Sequence, residues 1–138
     1  MKYVLDTTTV SALMRGDARV IARLKRCGRT DVGIPQPAIA EICYGIQRLT
    51  RSNRRETLAS RFHLLSKEIQ RVTWSDEVSD AFGAIKTTLE RRGERIEDFD
   101  AAMAAHAVAE GAILVTANLK HMTRVPDLTV EDWSQAAE

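Results

Sequence analysis

The sequence predicts an α/β domain, a central, mostly parallel β-sheet flanked by helices, and three observations predict it. Short apolar runs alternate with longer segments of helical periodicity, as a parallel sheet with crossover helices requires. Gly16, Gly28, Gly93 and Gly111 each close a helix-like pattern, the position where glycine ends helices. The length, 138 residues, suits one compact domain that buries a core without disulfides or a structural metal.

In chain order, Lys2 to Leu5 reads as a short buried strand, and Thr9 to Arg15 as a short helix stopped by Gly16. Asp17 is placed to cap a second helix carrying Val20, Ile21 and Leu24. "DVGIP" is the next strand. From Pro37 to about Leu49, Ile39, Ile42, Cys43 and Ile46 recur at helical spacing, and a further helix spans Arg54 to Ser66. "IQRVTW" is a strand, followed by a long helix from about Asp76 to Arg91. "DFDAAMAAHAVAEG" forms an alanine-rich helix, "AILVTAN" a strongly apolar strand and "DLTV" a last short strand. With no repeat, low-complexity tract or linker, the domain runs over 1–133 and leaves a polar tail, 134–138.

The net charge of +1 argues against a globally basic nucleic-acid binder, although local patches survive a neutral total. Cys27 and Cys43 are too few and too far apart for a zinc set or a C-x-x-C pair. No stretch has the apolar length to cross a membrane, and the N-terminus lacks the core of a signal peptide. A soluble, cytoplasmic protein with no membrane partner is expected.

In such a sheet the loops after the strands line one edge, where sites are built. Asp6 follows the first strand in "YVLDTTTVSALMRG". It either caps the next helix or stands at that edge as a charged group, and the stretch alone leaves both open. Asn118 follows the apolar strand. Asp100 shares a helical stripe with Met103, Ala104, Ala107 and Gly111, the side expected to face the sheet, where a carboxylate costs several kcal/mol unless paired. Asp98 lies about 200° away around the helix and is assigned to capping, Asp100 to a site. Glu41 faces away from the apolar stripe of its helix, so periodicity alone favours a solvated glutamate. If Asp6, Glu41 and Asp100 meet, three anions need a cation, and oxygen donors favour Mg²⁺ or Mn²⁺ over zinc.

Four segments, "YVLDTTTVSALMRG", "PAIAEICYGI", "GERIEDFDAAMAAHA" and "ILVTANLKHMTRVPDLTVEDW", resemble in order the signature segments of PIN-domain ribonucleases. The similarity is greatest to the VapC-like toxins of type II toxin–antitoxin pairs, and it runs from Met1 to about Trp133. It implies a PIN-like three-layer fold and a Mg²⁺- or Mn²⁺-dependent endoribonuclease. Asp6 matches the family's first acid, Glu41 the second within "x-E-[LI]-x-x-G", and Asp100 the third, three residues before "MAA". Asn118 stands where many PIN domains carry a fourth acid, and Thr8 where asparagine or serine often follows "Asp-Thr". An amide brings no charge, which leaves the choice between one metal and two open.

The expected catalytic set is therefore Asp6, Glu41, Asp100 and Asn118, with the first three holding the metal and Thr7 or Thr116 orienting the acids. The chemistry is hydrolysis of a phosphodiester by water activated on that cation. No histidine is required, and His63, His106 and His121 read as structural or exposed. The resemblance also implies a cognate antitoxin that covers the cleft, and a homodimer. Between Gln47 and Arg71 seven basic residues face two acids, a segment suited to a phosphate backbone or simply to solvent. A degenerate PIN domain that binds without cutting is the alternative. A receiver-like signalling domain would need an acidic pair after the first strand and an acceptor aspartate after a middle one, and neither is visible. A helix-turn-helix repressor is excluded by the strand content.

Overall fold

The computed structural model describes residues 1–135. The tip of the expected polar tail, 136–138, lies outside the described residues. Five strands form one sheet: β1 (Tyr3–Leu5), β2 (Val32–Pro35), β3 (Gln70–Val72), β4 (Ile113–Val115) and β5 (Val130–Glu131). Their order is β3-β2-β1-β4-β5 and every neighbouring pair is parallel. The α/β sheet expected from the alternation is what the chain forms. β1 sits in the middle, with Tyr3 beside Val32 on one side and Ile113 on the other. The chain builds outward from β1 through β2 to β3, then returns to add β4 on β1's free edge. Strand order therefore reverses between β1 and β4, and a crevice opens at their carboxyl ends.

Among the described residues seven α-helices join and cover the strands: α1 (Thr7–Met14), α2 (Ala18–Lys25), α3 (Gln36–Gln47), α4 (Asn53–Glu68), α5 (Asp76–Arg91), α6 (Asp98–Glu110) and α7 (Leu119–Met122). Most boundaries follow local chemistry. Asp17, Ser52 and Ser75 cap α2, α4 and α5 by accepting from first-turn amides, and α6 ends at Gly111, whose φ of +62° suits glycine. α1 begins two residues earlier than periodicity indicates, because the Asp6 side chain itself accepts from Thr9 N.

At α6 the structure corrects two expectations. Glu97, not Asp98, occupies the cap position, without a side-chain cap bond; Asp98 is exposed and its Oδ1 takes Lys86 Nζ at 3.0 Å. The buried face is also wider than one stripe, since Ala101 to Ala107 are all buried. α6 lies between β1 and β4 on one side and α5 on the other, and alanine is small enough for helices to approach closely on both. Elsewhere Val4, Leu5, Ile34 and Leu114 fill the sheet's centre. α4 has no fully buried residue and leans on the core through Leu58, Phe62 and Leu65, as a solvated basic segment would. No helix among the described residues is long and apolar enough to cross a membrane.

Candidate active site at the carboxyl edge of the sheet

Asp6 follows β1 directly, and the two readings left open for it prove compatible. The residue is only 3 % exposed. Its Oδ1 accepts from Thr9 N at 3.1 Å, which caps α1, and from Thr8 Oγ1 at 2.6 Å, while the residue stands in the crevice between β1 and β4. The junction is sewn to the far strand: Asp6 N donates to Val115 O at 3.0 Å, Thr9 Oγ1 to the same carbonyl at 2.8 Å, and Ala117 N to Thr8 Oγ1 at 3.0 Å. The hydroxyl of Thr8, at a position where asparagine or serine often occurs, thus joins the acid to the loop after β4.

Glu41 projects from α3 toward α1, and Thr7 Oγ1 donates to its Oε1 at 2.6 Å. The same hydroxyl lies 3.8 Å from Met103 Sδ on α6. Glu41 is half-buried rather than solvated, so tertiary packing overrides its helical pattern. Asp100, in the first turn of α6, receives Asn118 Nδ2 at a long 3.5 Å, and Asn118 N donates to Thr116 Oγ1 at 2.9 Å. The four expected residues thus gather on α1's cap, α3, α6 and the β4–α7 loop around one edge.

Burial raises the Asp6 carboxyl above the usual range, partly opposed by hydrogen bonds from Thr116, Thr8 and Thr9. Asp100 is raised as well, first by burial, then by the negative charges of Glu41 and Asp6. The charge of two acids felt at the third is the electrostatic sign of a cluster. Among the described residues, no three His, Cys, Asp or Glu side chains converge tightly enough to hold one ion as they stand. Like charges repel, and Asp6 and Glu41 take hydrogen bonds from their own threonines instead of turning to a common point. The donor chemistry, hard oxygens from three carboxylates and an amide, still fits Mg²⁺ or Mn²⁺ rather than zinc.

One neighbour escaped the sequence reading. His121 on α7, expected to be structural or exposed, puts Nδ1 3.3 Å from Asn118 Nδ2 and lowers the Asp100 pKa by its charge. Its spacing, three residues after Asn118, was the available signal. His63 is exposed, and His106 is buried in α6 away from the acids.

The family model described as PIN domain matches residues 3–128. The chain belongs to the PIN domain family. Ribonuclease VapC2 of Rickettsia felis is 29% identical over 98% of this chain and 100% of its own. The tRNA(fMet)-specific endonuclease VapC of Salmonella typhimurium is 26% identical over 96% and 98%. A crystal structure of VapBC2 from Rickettsia felis, bound to a promoter DNA fragment, superposes with a TM-score of 0.87 at 27% identity, covering 96% of this chain and 99% of that one. The resemblance to VapC-like PIN domains read from four motifs is borne out along the whole PIN domain.

Proposed function

We propose that this PIN domain is a metal-dependent endoribonuclease, the toxin of a type II toxin–antitoxin pair. The observation that carries the reading is the gathering of Asp6, Glu41 and Asp100 at the carboxyl edge, where two of the acids raise the proton affinity of the third. The ribonuclease names of its relatives and the antitoxin-bound state of its structural neighbour support it. A bound Mg²⁺ or Mn²⁺ supplies Lewis acidity, lowering the pKa of water and neutralising charge that builds on the phosphate. The chain's part is preorganisation. Asp6 is locked by the α1 cap and Thr8, Glu41 is aimed by Thr7, and Asn118 orients Asp100 without adding charge. A cognate antitoxin that closes this cleft and a homodimer are part of the same proposal.

The test is cleavage of mixed tRNA and ribosomal RNA by the purified chain in Mg²⁺ or Mn²⁺ against EDTA, beside Asp6→Asn and Asp100→Asn. Metal-dependent cutting that falls at least ~100-fold in both variants is expected. A second readout is stability: metal at about ten times its Kd adds about 1.4 kcal/mol to the wild type, and Asp100→Asn reduces that gain. Equal cutting by variants and wild type refutes the carboxylate site. No cutting by a natively folded wild type, with RNA still bound, favours the degenerate, binding-only reading that Asn118 allows.

A further inference from the structure

Glu41 and Thr7 do not end in open solvent. They form one end of a groove of about 310 Å³ between α1 and α3, roofed by the start of α4. Its floor is apolar, built from Ile42, Ile46 and Leu58, and its rim carries Arg15, just past the end of α1, and Arg54 of α4. Both arginines are exposed. Neither joins the ion pairs found among the described residues, which are Arg23–Glu131, Arg29–Glu68 and Lys86–Asp98. Two guanidiniums without carboxylate partners thus share a depression with one of the acids.

We propose that this groove is the path of the RNA strand next to the scissile bond, with Arg15 and Arg54 each holding a backbone phosphate. The inference rests on the ribonuclease reading above. Charge selects the occupant: a guanidinium fork matches phosphate oxygens, and a polyanion supplies the counter-charge both arginines lack. Length agrees. Thr7 and Arg15 are eight residues apart, about 12 Å along a helix axis, a span that takes more than one backbone phosphate of an extended strand. A strand with one phosphate at the acids therefore presents another at Arg15. The apolar floor accepts sugar and base faces, which carry no charge to desolvate.

The experiment measures binding of a fluorescent single-stranded oligoribonucleotide to Asp100→Asn protein, which is expected not to cut it, across a salt series. Arg15→Gln and Arg54→Gln are added singly and together, with Lys2→Gln as control. Lys2 is exposed and directly precedes β1, so it stands at the amino edge of the sheet, the end opposite Asp6. Each groove variant is expected to weaken binding about 5- to 10-fold, and the slope of log K against log salt to shrink by about 0.7 per lost phosphate contact. The control changes neither. Affinity and slope unchanged in the double variant overturn the groove as the RNA path. Loss of cognate antitoxin binding alone, with RNA binding intact, assigns the groove to protein and also overturns it. No RNA binding by natively folded Asp100→Asn refutes the ribonuclease reading and the groove together, whereas binding that ignores Arg15 and Arg54 refutes only the groove.

Discussion

Acid should weaken this protein through one buried imidazole. His106 is 0% exposed, neither ring nitrogen has a hydrogen-bond partner, and the ring meets Trp74 edge-on at 5.6 Å between centroids. Burial pushes its pKa down from 6.5 to about 4. In the unfolded chain the same group titrates near 6.5, so between that pH and about 4 the unfolded state binds more protons, and stability falls as pH falls. The stabilisation is complete above the unfolded value and is lost across that window, at about 3 kcal/mol in all. For a domain of this size that is ~10 °C in Tm. Other groups titrate over the same range, so the measurement is a difference. Urea unfolding of wild type and His106→Leu at pH 7, 5.5 and 4.5 should give a gap that moves against the wild type by about 2 kcal/mol between the two ends of the series. Leucine fills the apolar site without leaving an orphaned polar group, so the variant need not start out weaker. Parallel stability curves for the two proteins would show that His106 is solvated or partnered, and the reasoning would fail.

Three further outcomes follow from the site and the sheet. In EDTA, Asp100→Asn should be more stable than wild type at pH 7, since it removes a carboxylate that burial and the charges of Glu41 and Asp6 disfavour; because the folded pKa is raised, that gain should shrink as pH falls toward 4, read by thermal unfolding. Thr7→Val keeps the shape but deletes the hydrogen bond to Glu41, and kcat should drop about 10-fold with RNA affinity retained; unchanged kcat would remove Thr7 from the positioning of that acid. Gly33→Ala on β2 puts a Cβ 2.5 Å from Val72 Cγ2 across the β2–β3 pair, so a loss of about 1–3 kcal/mol is expected in denaturant unfolding.

The sequence by itself determined the elements and the acids of interest. Apolar runs four to six residues long, punctuated by glycine and by Asp or Ser caps, carry their information locally, because periodicity, capping and the left-handed bias of glycine act within a few residues. Asp100 was legible for the same reason, as a charge on the buried stripe of an alanine-rich helix. Tertiary structure decided everything that depends on a neighbour distant in the chain. Asp98 left its expected cap for Lys86 of α5. The wide burial of α6 required α5 to lie across it, and no single stripe of that helix encodes a second contact face. Glu41, which helical periodicity left solvated, is half-buried and held by Thr7, thirty-four positions away. His121 acts on Asp100, twenty-one positions away, because the start of α6 and α7 meet at the same edge of the sheet. Each of these is a choice between solvent and a partner, and the partner's position is set by the order of strands in the sheet.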